Sequence, residues 1–258
     1  PSSGEQACGE VGEGRMPEPQ QIFDAVIEVE KQQKESYQAW SELKTFWQGK
    51  SLLISAGPTY ENIDPVRFIG NRSSGKMGFA LAQVAALAGA NVTLIAGPVQ
   101  LATPDKVKRI DVRSALDMFE TVQQEYAQNS YFISAAAVAD FRVAEMAEQK
   151  IKKQADNENM TLELIKNPDI VAWVAQQTDK PFVVGFAAET QNVIEYAKDK
   201  LKRKNLDMIC DNQVGENKGF ECDDNSLTVI THSQQQTFPS SSKYQQAIAV
   251  LNTISENN

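Results

Sequence analysis

The 258-residue sequence has the composition of a folded protein and an acidic balance of charge. Hydrophobic residues make up 41% and charged residues 23%, which is unlike a disordered chain. Because single domains usually have about 100 to 200 residues, the length predicts one substantial domain with an appendage. A formal charge of −9 repels nucleic-acid backbones and anionic lipid, which argues against nucleic-acid binding as the main activity.

The three cysteines, Cys8, Cys210 and Cys222, are widely spaced and form no C-x-x-C pair. This spacing argues against a disulfide framework or a zinc site and favours a reducing compartment. No apolar run approaches the roughly 20 residues of a membrane span, and no signal-peptide pattern opens the chain. We therefore expect a cytoplasmic protein without a membrane partner.

The N-terminal fifth of the chain differs from the rest. Residues 1–19 are rich in Gly, Pro and Ser, and the segment from there to about Trp47 has the polar, amphipathic pattern of one or two helices. Neither segment is a domain by itself. The sequence also begins without Met, and we expect it to be a piece of a longer protein.

From Ser51, short β-rich apolar runs alternate with helical patterns, which is typical of βαβ units and a parallel sheet. Strands are predicted at 51–57, 91–97, 107–112, 131–138, 182–188 and 206–211, and helices at 75–89, 114–128, 168–177 and 193–204. A hairpin and a helix from about Ser242 to Ser255 follow. The predicted fold class is α/β, a Rossmann-like, doubly wound, mostly parallel sheet with a small antiparallel C-terminal addition. Ligands of such sheets bind beyond the carboxyl ends of the strands.

The connection after the first strand is long and lacks the tight G-x-G-x-x-G turn of a dinucleotide site. It ends in Ser73, Ser74 and Gly75 at a predicted helix start, where free backbone N–H groups favour a phosphate or a carboxylate. Its GNRSSGKM segment fits G-x-x-x-x-G-K, but Met77 stands where a P-loop needs Ser or Thr for magnesium. A P-loop NTPase or kinase is therefore an alternative function, and a plain surface loop with an N-cap is the structural alternative.

Two later segments also suit phosphate chemistry. The AAAVAD run puts small residues at a strand end, where they either pack tightly or let a ligand approach, and Asp140 follows as a candidate for holding a metal-bound triphosphate. Lysines cluster at Lys150, Lys152 and Lys153 and again at Lys200 and Lys204. If they converge, they would neutralise a triphosphate and its leaving pyrophosphate, and otherwise they form solvated faces.

Six motifs then occur in one order: DPVRFIGNRSSGKMG, AAAVADFR, KIKK, KNPDIV, GFAAET and KRKNLDMI. Together they resemble bacterial phosphopantothenoylcysteine synthetase, the C-terminal half of the bifunctional phosphopantothenoylcysteine decarboxylase/phosphopantothenate–cysteine ligase. The resemblance runs from about Ser51 to the C-terminus. It implies that residues 50–258 form a CTP-dependent ligase of coenzyme A biosynthesis. That ligase joins 4′-phosphopantothenate to L-cysteine through an acyl-cytidylate, releasing pyrophosphate and then CMP.

The resemblance implies roles for individual residues. Asn71 matches the asparagine that handles the carboxylate and the acyl intermediate, and Arg67 an arginine of the same half of the site. Ala136 matches a small residue that the substrate approaches, and Lys150 the lysine required for activation. Mg²⁺ is expected with the triphosphate, with Asp140 as a candidate ligand. The positions that match the surroundings of CTP are Ser134, Ala135, Ala136, Asp140, Lys150, Pro168, Asp169, Ile170, Val171, Phe186, Lys200 and Lys204.

One position departs from the family pattern, since the family loop commonly has His where this chain has Arg72. A second cation beside Asn71 is compatible with phosphate binding, so the departure casts little doubt on the resemblance.

The N-terminal residues resemble a different domain. Residues 1–19 are similar to the substrate-lid segment near the end of phosphopantothenoylcysteine decarboxylase, in which the cysteine matching Cys8 is the proton donor. Residues 20–49 would then be the helical end of that domain and a linker. The FMN-binding body should precede Pro1, so the parent protein is expected to decarboxylate the ligase product and this chain alone is not.

The family also implies a homodimer formed through the synthetase domain, with the loop that bears Arg67 near the interface. A non-catalytic dinucleotide-binding or assembly domain is the remaining alternative from another class of function.

Overall fold

The computed structural model describes residues 2–5, 11–15, 19–152, 159–189, 193–213 and 224–258. Contacts divide the chain into two compact units, Pro1–Leu43 and Lys44–Asn258. The helices are α1 (Pro19–Trp47), α2 (Lys76–Leu87), α3 (Ala115–Glu125), α4 (Ile170–Ala175), α5 (Val193–Arg203) and α6 (Lys243–Glu256). The strands are β1 (Ser2–Glu5), β2 (Val11–Arg15), β3 (Ser51–Ala56), β4 (Tyr60–Asn62), β5 (Phe68–Gly70), β6 (Asn91–Ala96), β7 (Val107–Asp111), β8 (Tyr131–Ser134), β9 (Phe141–Val143), β10 (Leu164–Lys166), β11 (Phe182–Glu189), β12 (Met208–Gln213), β13 (Asp224–Thr231) and β14 (Gln235–Ser242).

The first unit contains an antiparallel hairpin and most of one long helix. Strands β1 and β2 pair with each other. Helix α1 is continuous and begins at Pro19, whose fixed φ and missing N–H suit the first helical turn. No helix among the described residues is both long and apolar enough to cross a membrane.

The second unit is built on an eight-stranded sheet with the order β14-β13-β12-β11-β8-β3-β6-β7. The six strands from β7 to β12 in this order run parallel, whereas β13 and β14 pair antiparallel at one edge. The prediction of a Rossmann-like, mostly parallel sheet with an antiparallel C-terminal addition is confirmed.

Helices cover both faces of this sheet because side chains alternate along each strand. On one face, Leu53 and Phe132 belong to a buried cluster with apolar residues of α3, α4 and α5. On the other face, α2 packs against β3 so closely that a Cβ added to Gly78 would lie 2.5 Å from the Cβ of Ala56. Helix α6 packs on α2 there, and Trp47 donates to the carbonyl of Leu251 at 3.3 Å.

Strand β8 is shorter than predicted and ends at Ser134. Beyond it the chain still follows β3, since the N–H of Ala135 donates to Ser55 and that of Ala137 to Gly57. Its pairing with β11, however, stops at Gly185. A crevice therefore separates residues 135–138 from the C-terminal half of β11, beyond Gly185.

Candidate functional site

A cavity of about 460 Å³ opens at the carboxyl ends of the parallel strands. After β3 the chain continues to β6 on one side, and after β8 it continues to β11 on the other, so the strand order reverses between β3 and β8. Ligands of open α/β sheets bind at such a reversal. The described lining residues are Asn71, Arg72, Ser73, Ser74, Gly75, Lys76, Met77, Gly78, Ala135, Ala136, Ala137, Val138, Asp140, Phe186, Ala187, Lys200, Leu227, Lys243 and Gln246.

The long connection between β3 and α2 forms one wall of the cavity. It is a hairpin of β4 and β5, in which the rings of Tyr60 and Phe68 stack at 3.9 Å between centroids. The loop then enters α2 through Gly75, whose φ of 74° is left-handed and favours glycine. Gly75, the N-cap of α2, has no side chain that could accept a hydrogen bond from the first turn of the helix. The first N–H groups of α2 can therefore donate hydrogen bonds to an anion in the cavity.

Asn71 links this loop to the segment that follows β8. Its Nδ2 donates a hydrogen bond to the carbonyl of Val138 at 2.9 Å. Because Asn71 and Val138 both line the cavity, this bond holds the amide side chain in the cavity wall. The amide is uncharged and can donate to a ligand oxygen without acting as a base.

Asp64 organises the turn of the hairpin. Its Oδ1 accepts hydrogen bonds from the N–H groups of Val66 and Arg67, each at 2.8 Å, and its Oδ2 accepts one from Ile151 at 3.2 Å. Burial alone would raise the pKa of this carboxyl. The three backbone N–H donors and the Arg67 charge outweigh burial and hold the pKa below its ordinary value.

We expect acid to destabilise the chain partly through Asp64. Because its folded-state pKa lies below the unfolded value of about 3.9, the carboxylate contributes stability above about pH 4 that is lost as pH falls through the folded pKa. Below about pH 4, the thermal midpoint should therefore fall less steeply for Asp64→Asn than for the wild-type chain. Circular dichroism melts across pH would measure this, with the exposed Asp105→Asn as control. Identical acid dependence in all three proteins would contradict the assignment.

Cationic side chains line the cavity although the protein as a whole is acidic. Arg72, Lys76, Lys200 and Lys243 line it, and Asp140 is the only carboxylate among the described lining residues. Lys200 and Lys243 are half-buried, so their charges are screened less by salt than those of exposed lysines. With a formal charge of −9 for the whole chain, this concentration of cations suits a ligand that carries several phosphate charges.

Comparison with known proteins assigns the family. A model described as the DNA/pantothenate metabolism flavoprotein C-terminal domain matches residues 47–257. The chain belongs to this family.

Bifunctional proteins of coenzyme A biosynthesis are similar in sequence to nearly the whole chain. The coenzyme A biosynthesis bifunctional protein CoaBC of Vibrio cholerae is 52% identical over 258 residues, which are 99% of this chain and 62% of that protein. The CoaBC of Haemophilus influenzae is 50% identical over 257 residues, or 99% of this chain and 61% of that protein. The chain thus spans about three fifths of these relatives.

A crystal structure of the C-terminal domain of a coenzyme A biosynthesis bifunctional protein CoaBC is similar in fold as well. Its sequence is 40% identical to this one, and the TM-score is 0.69. The match covers 81% of this chain and 95% of that domain.

The structure brings some of the residues implied by the family resemblance together at the cavity. These are Asn71, Ala135, Ala136, Asp140, Phe186 and Lys200. Phe186 and Lys200 reach it from β11 and α5, across the crevice from Asn71.

Other predicted residues lie outside the lining set, namely Arg67, Ser134, Lys150, Pro168, Asp169, Ile170, Val171 and Lys204. Lys204 forms an ion pair with Asp169 at 2.6 Å, which joins the end of α5 to the start of α4. Asp169 is also the N-cap of α4 and accepts from the N–H of Ala172. Lys150 is exposed. Cys8, Lys153 and Cys222 fall outside the described residues.

The cavity also includes residues from α6 that no motif indicated. Lys243 is the first residue of α6, and the amide of Gln246 is held by Pro239 and Ser241 at 3.0 and 2.8 Å. The capping box of Ser242 and Gln245 fixes the start of this helix. That box is readable in the sequence and predicts where α6 begins, but not that α6 packs on α2.

The resemblance to a P-loop does not extend to the structure around it. In a P-loop, the glycine-rich segment follows a strand and enters a helix directly. Here it follows β5, which among the described strands pairs only with β4 and lies outside the eight-stranded sheet. Met77 adds no hydroxyl at the position that holds magnesium. Both differences disfavour the NTPase alternative.

The described residues contain no group of three or more His, Cys, Asp or Glu that could hold a metal ion. Asp140 is exposed and lines the cavity. Because Mg²⁺ is usually bound by one or two carboxylates together with substrate phosphates and water, a single carboxylate fits magnesium that arrives with a nucleotide.

Proposed function

We propose that the chain is a ligase of coenzyme A biosynthesis that joins 4′-phosphopantothenate to L-cysteine with CTP. Family membership and the CoaBC relatives support the reaction class. The observation that carries the proposal is one cavity in which an uncharged amide, Asn71, faces residues of β11 and α5 among four cations. Such a cavity suits a reaction that activates a carboxylate with a nucleoside triphosphate.

In the first step, a carboxylate oxygen of phosphopantothenate attacks the α-phosphorus of CTP, and the bond to pyrophosphate breaks. The step needs positioned positive charge, because negative charge accumulates on the leaving pyrophosphate. Lys76, Lys200 and Lys243 supply that charge at the cavity, and we assign Lys150 to the α-phosphate. When bound, Mg²⁺ would neutralise the triphosphate further, with Asp140 as its protein ligand.

In the second step, the amine of cysteine attacks the acyl carbonyl of the acyl-cytidylate, the acyl C–O bond to CMP breaks, and the nitrogen releases a proton as the amide forms. Negative charge develops on the acyl oxygen during this attack. We assign Asn71 to donate a hydrogen bond to that oxygen, which stabilises the charge. Arg67 serves the same half of the site, and Ala136 leaves room for the substrate beside the backbone. Ser134, Ala135, Phe186, Lys204 and the Pro168–Val171 helix start complete the proposed CTP surroundings.

We also propose that the chain forms a homodimer. Exposed apolar side chains on the hairpin β4–β5 and on its neighbour β9–β10, among them Val66, Phe68, Phe141 and Leu164, support a homodimer through this surface.

The proposal also covers the parent protein and its location. We assign FMN binding and decarboxylation to the decarboxylase part of the longer CoaBC-type parent, and residues 1–49 to the end of that part. A cytoplasmic location follows from the same assignment.

The decisive assay mixes the purified chain with phosphopantothenate, cysteine, CTP and Mg²⁺. We expect equal amounts of pyrophosphate and CMP, and pyrophosphate release that requires phosphopantothenate but not cysteine. Formation of CDP with orthophosphate would instead identify the NTPase alternative, and CDP with a phosphorylated acceptor the kinase alternative. A chain that fails to bind CTP at millimolar concentration with Mg²⁺ would be a non-catalytic domain.

A further inference from the structure

We propose that Asp64 is a positioning residue that couples the loop bearing Arg67 and Asn71 to the segment bearing Lys150. The proposal rests on the ligase function proposed above. It concerns how two segments that are about eighty residues apart in sequence are held in register for one reaction.

The geometry around Asp64 forms a closed set of contacts. The carboxylate is fully buried, and both oxygens accept hydrogen bonds, Oδ1 from its own turn and Oδ2 from the N–H of Ile151. Arg67 completes the set, because its Nη2 donates to the carbonyl of Ile151 at 2.7 Å while its Nε lies 3.6 Å from Asp64 Oδ2. The N–H and the C=O of Ile151 are thus both held by the hairpin.

The turn itself does not require the second oxygen. An aspartate that shapes a turn needs one oxygen for the N–H groups that follow it, which Oδ1 already provides. Backbone bonds close the same turn, since Ile63 and Asp64 both donate to the carbonyl of Arg67 at 2.8 and 3.3 Å. The turn would therefore form without the contact between Oδ2 and Ile151, and that contact instead ties the turn to the segment that bears Lys150.

The contact fixes the peptide next to Lys150. Lys150 directly precedes Ile151, so the N–H held by Asp64 belongs to the peptide bond that joins the two residues. Holding this peptide sets the direction in which the exposed Lys150 side chain leaves the backbone. A shift of about 1 Å in a catalytic group can cost about 10²-fold in rate. Loss of the contacts that Asp64 and Arg67 make with Ile151, called the clamp below, should therefore lower the rate measurably.

The Asp64→Asn variant tests the contact with Ile151 separately from the hydrogen bonds of the turn. In Asp64→Asn, the remaining amide oxygen can keep the turn bonds at Val66 and Arg67. The new NH₂ then faces the Ile151 N–H, donor against donor, and the attraction to Arg67 is lost. The matched control is Asp105→Asn, which makes the same charge change at an exposed position.

The test measures pyrophosphate release and amide exchange in the full chain. We expect Asp64→Asn to lower kcat for pyrophosphate release about 10- to 100-fold with less than about threefold change in the KM for CTP. In a Lys150→Ala background, the same change should have almost no further effect, since Asp64 acts through Lys150. A purely structural role would reduce the activity of both backgrounds equally.

Hydrogen exchange provides a readout that does not depend on activity. The amide of Ile151 should be protected in the wild-type chain and lose protection in Asp64→Asn. If Asp64→Asn fails to fold, hydrogen exchange at Ile151 in Arg67→Lys tests the same clamp, because lysine keeps the charge but lacks the fork of Nε and Nη2. Exchange is the readout for this variant because Arg67 is itself assigned to the site. An inactive wild-type chain would remove the proposed function. An active one in which Asp64→Asn behaves like Asp105→Asn, or acts additively with Lys150→Ala, would overturn the positioning role.

Discussion

Replacing Asn71 by Asp should stop the reaction after pyrophosphate release and lower the rate of CMP formation by about 10² to 10³-fold. The carboxylate cannot donate a hydrogen bond at neutral pH, so an acyl oxygen that becomes negative during the attack of cysteine loses its donor. The same change sets a carboxylate oxygen against the Val138 carbonyl, which now accepts from Nδ2 at 2.9 Å. Lys76, Lys200 and Lys243 are unchanged in this variant, so the first step should change by less than about threefold.

Rapid-quench kinetics would separate the two steps, because pyrophosphate and CMP are released at different points of the reaction. We expect a burst of pyrophosphate of about one equivalent per site from Asn71→Asp, followed by almost no CMP. The matched control is Asn62→Asp in the same hairpin, where the side chain already accepts from Arg113 at 3.2 and 3.3 Å and can continue to accept as a carboxylate. Equal loss of both products in Asn71→Asp would contradict the assigned role.

The central sheet was predicted well because each of its parallel strands can be recognised from the local sequence. Strands such as β3 and β6 are buried on both faces and read as short apolar runs between helical patterns. The hairpin β4–β5 and the antiparallel pair β9–β10 were not predicted, since their strands have three residues each and too little alternation to recognise. β8 was predicted four residues too long because its small apolar residues continue past the point where pairing with β11 stops.

The site was predictable only where family motifs mark it. Asn71, Asp140 and Phe186 lie in motifs and line the cavity, and Lys200 lies two residues before another motif. Lys243 lies in no motif, and its presence there depends on the packing of α6 against α2. The Asp64 clamp joins positions 87 apart in sequence, a contact that no local pattern encodes. Motifs thus predicted part of the candidate site, whereas tertiary packing decides which charges share the cavity.

Among the lysines of α5, Lys200 should matter far more for nucleotide binding than its neighbour Lys202. Lys200 is half-buried and lines the cavity, whereas Lys202 is exposed and is not among the residues that line it. A charge-assisted hydrogen bond to a phosphate contributes about 1.5 to 3 kcal/mol, so Lys200→Gln should raise the KM for CTP about 10- to 100-fold. Lys202→Gln loses the same charge in bulk solvent and should change the KM by less than about twofold.

Steady-state kinetics with varied CTP, at fixed phosphopantothenate and cysteine, would measure both variants, and calorimetry with CTP and Mg²⁺ would give their dissociation constants. Helix α5 should be about equally stable in the two variants, because glutamine is a good helix former at both positions. Raising the salt concentration should weaken binding to the wild type more than to Lys200→Gln, since the variant has lost one of the charges that salt screens. Equal effects of the two substitutions would mean that the nucleotide phosphates bind away from α5, and the cations of Lys76 and Lys243 would then have to hold them.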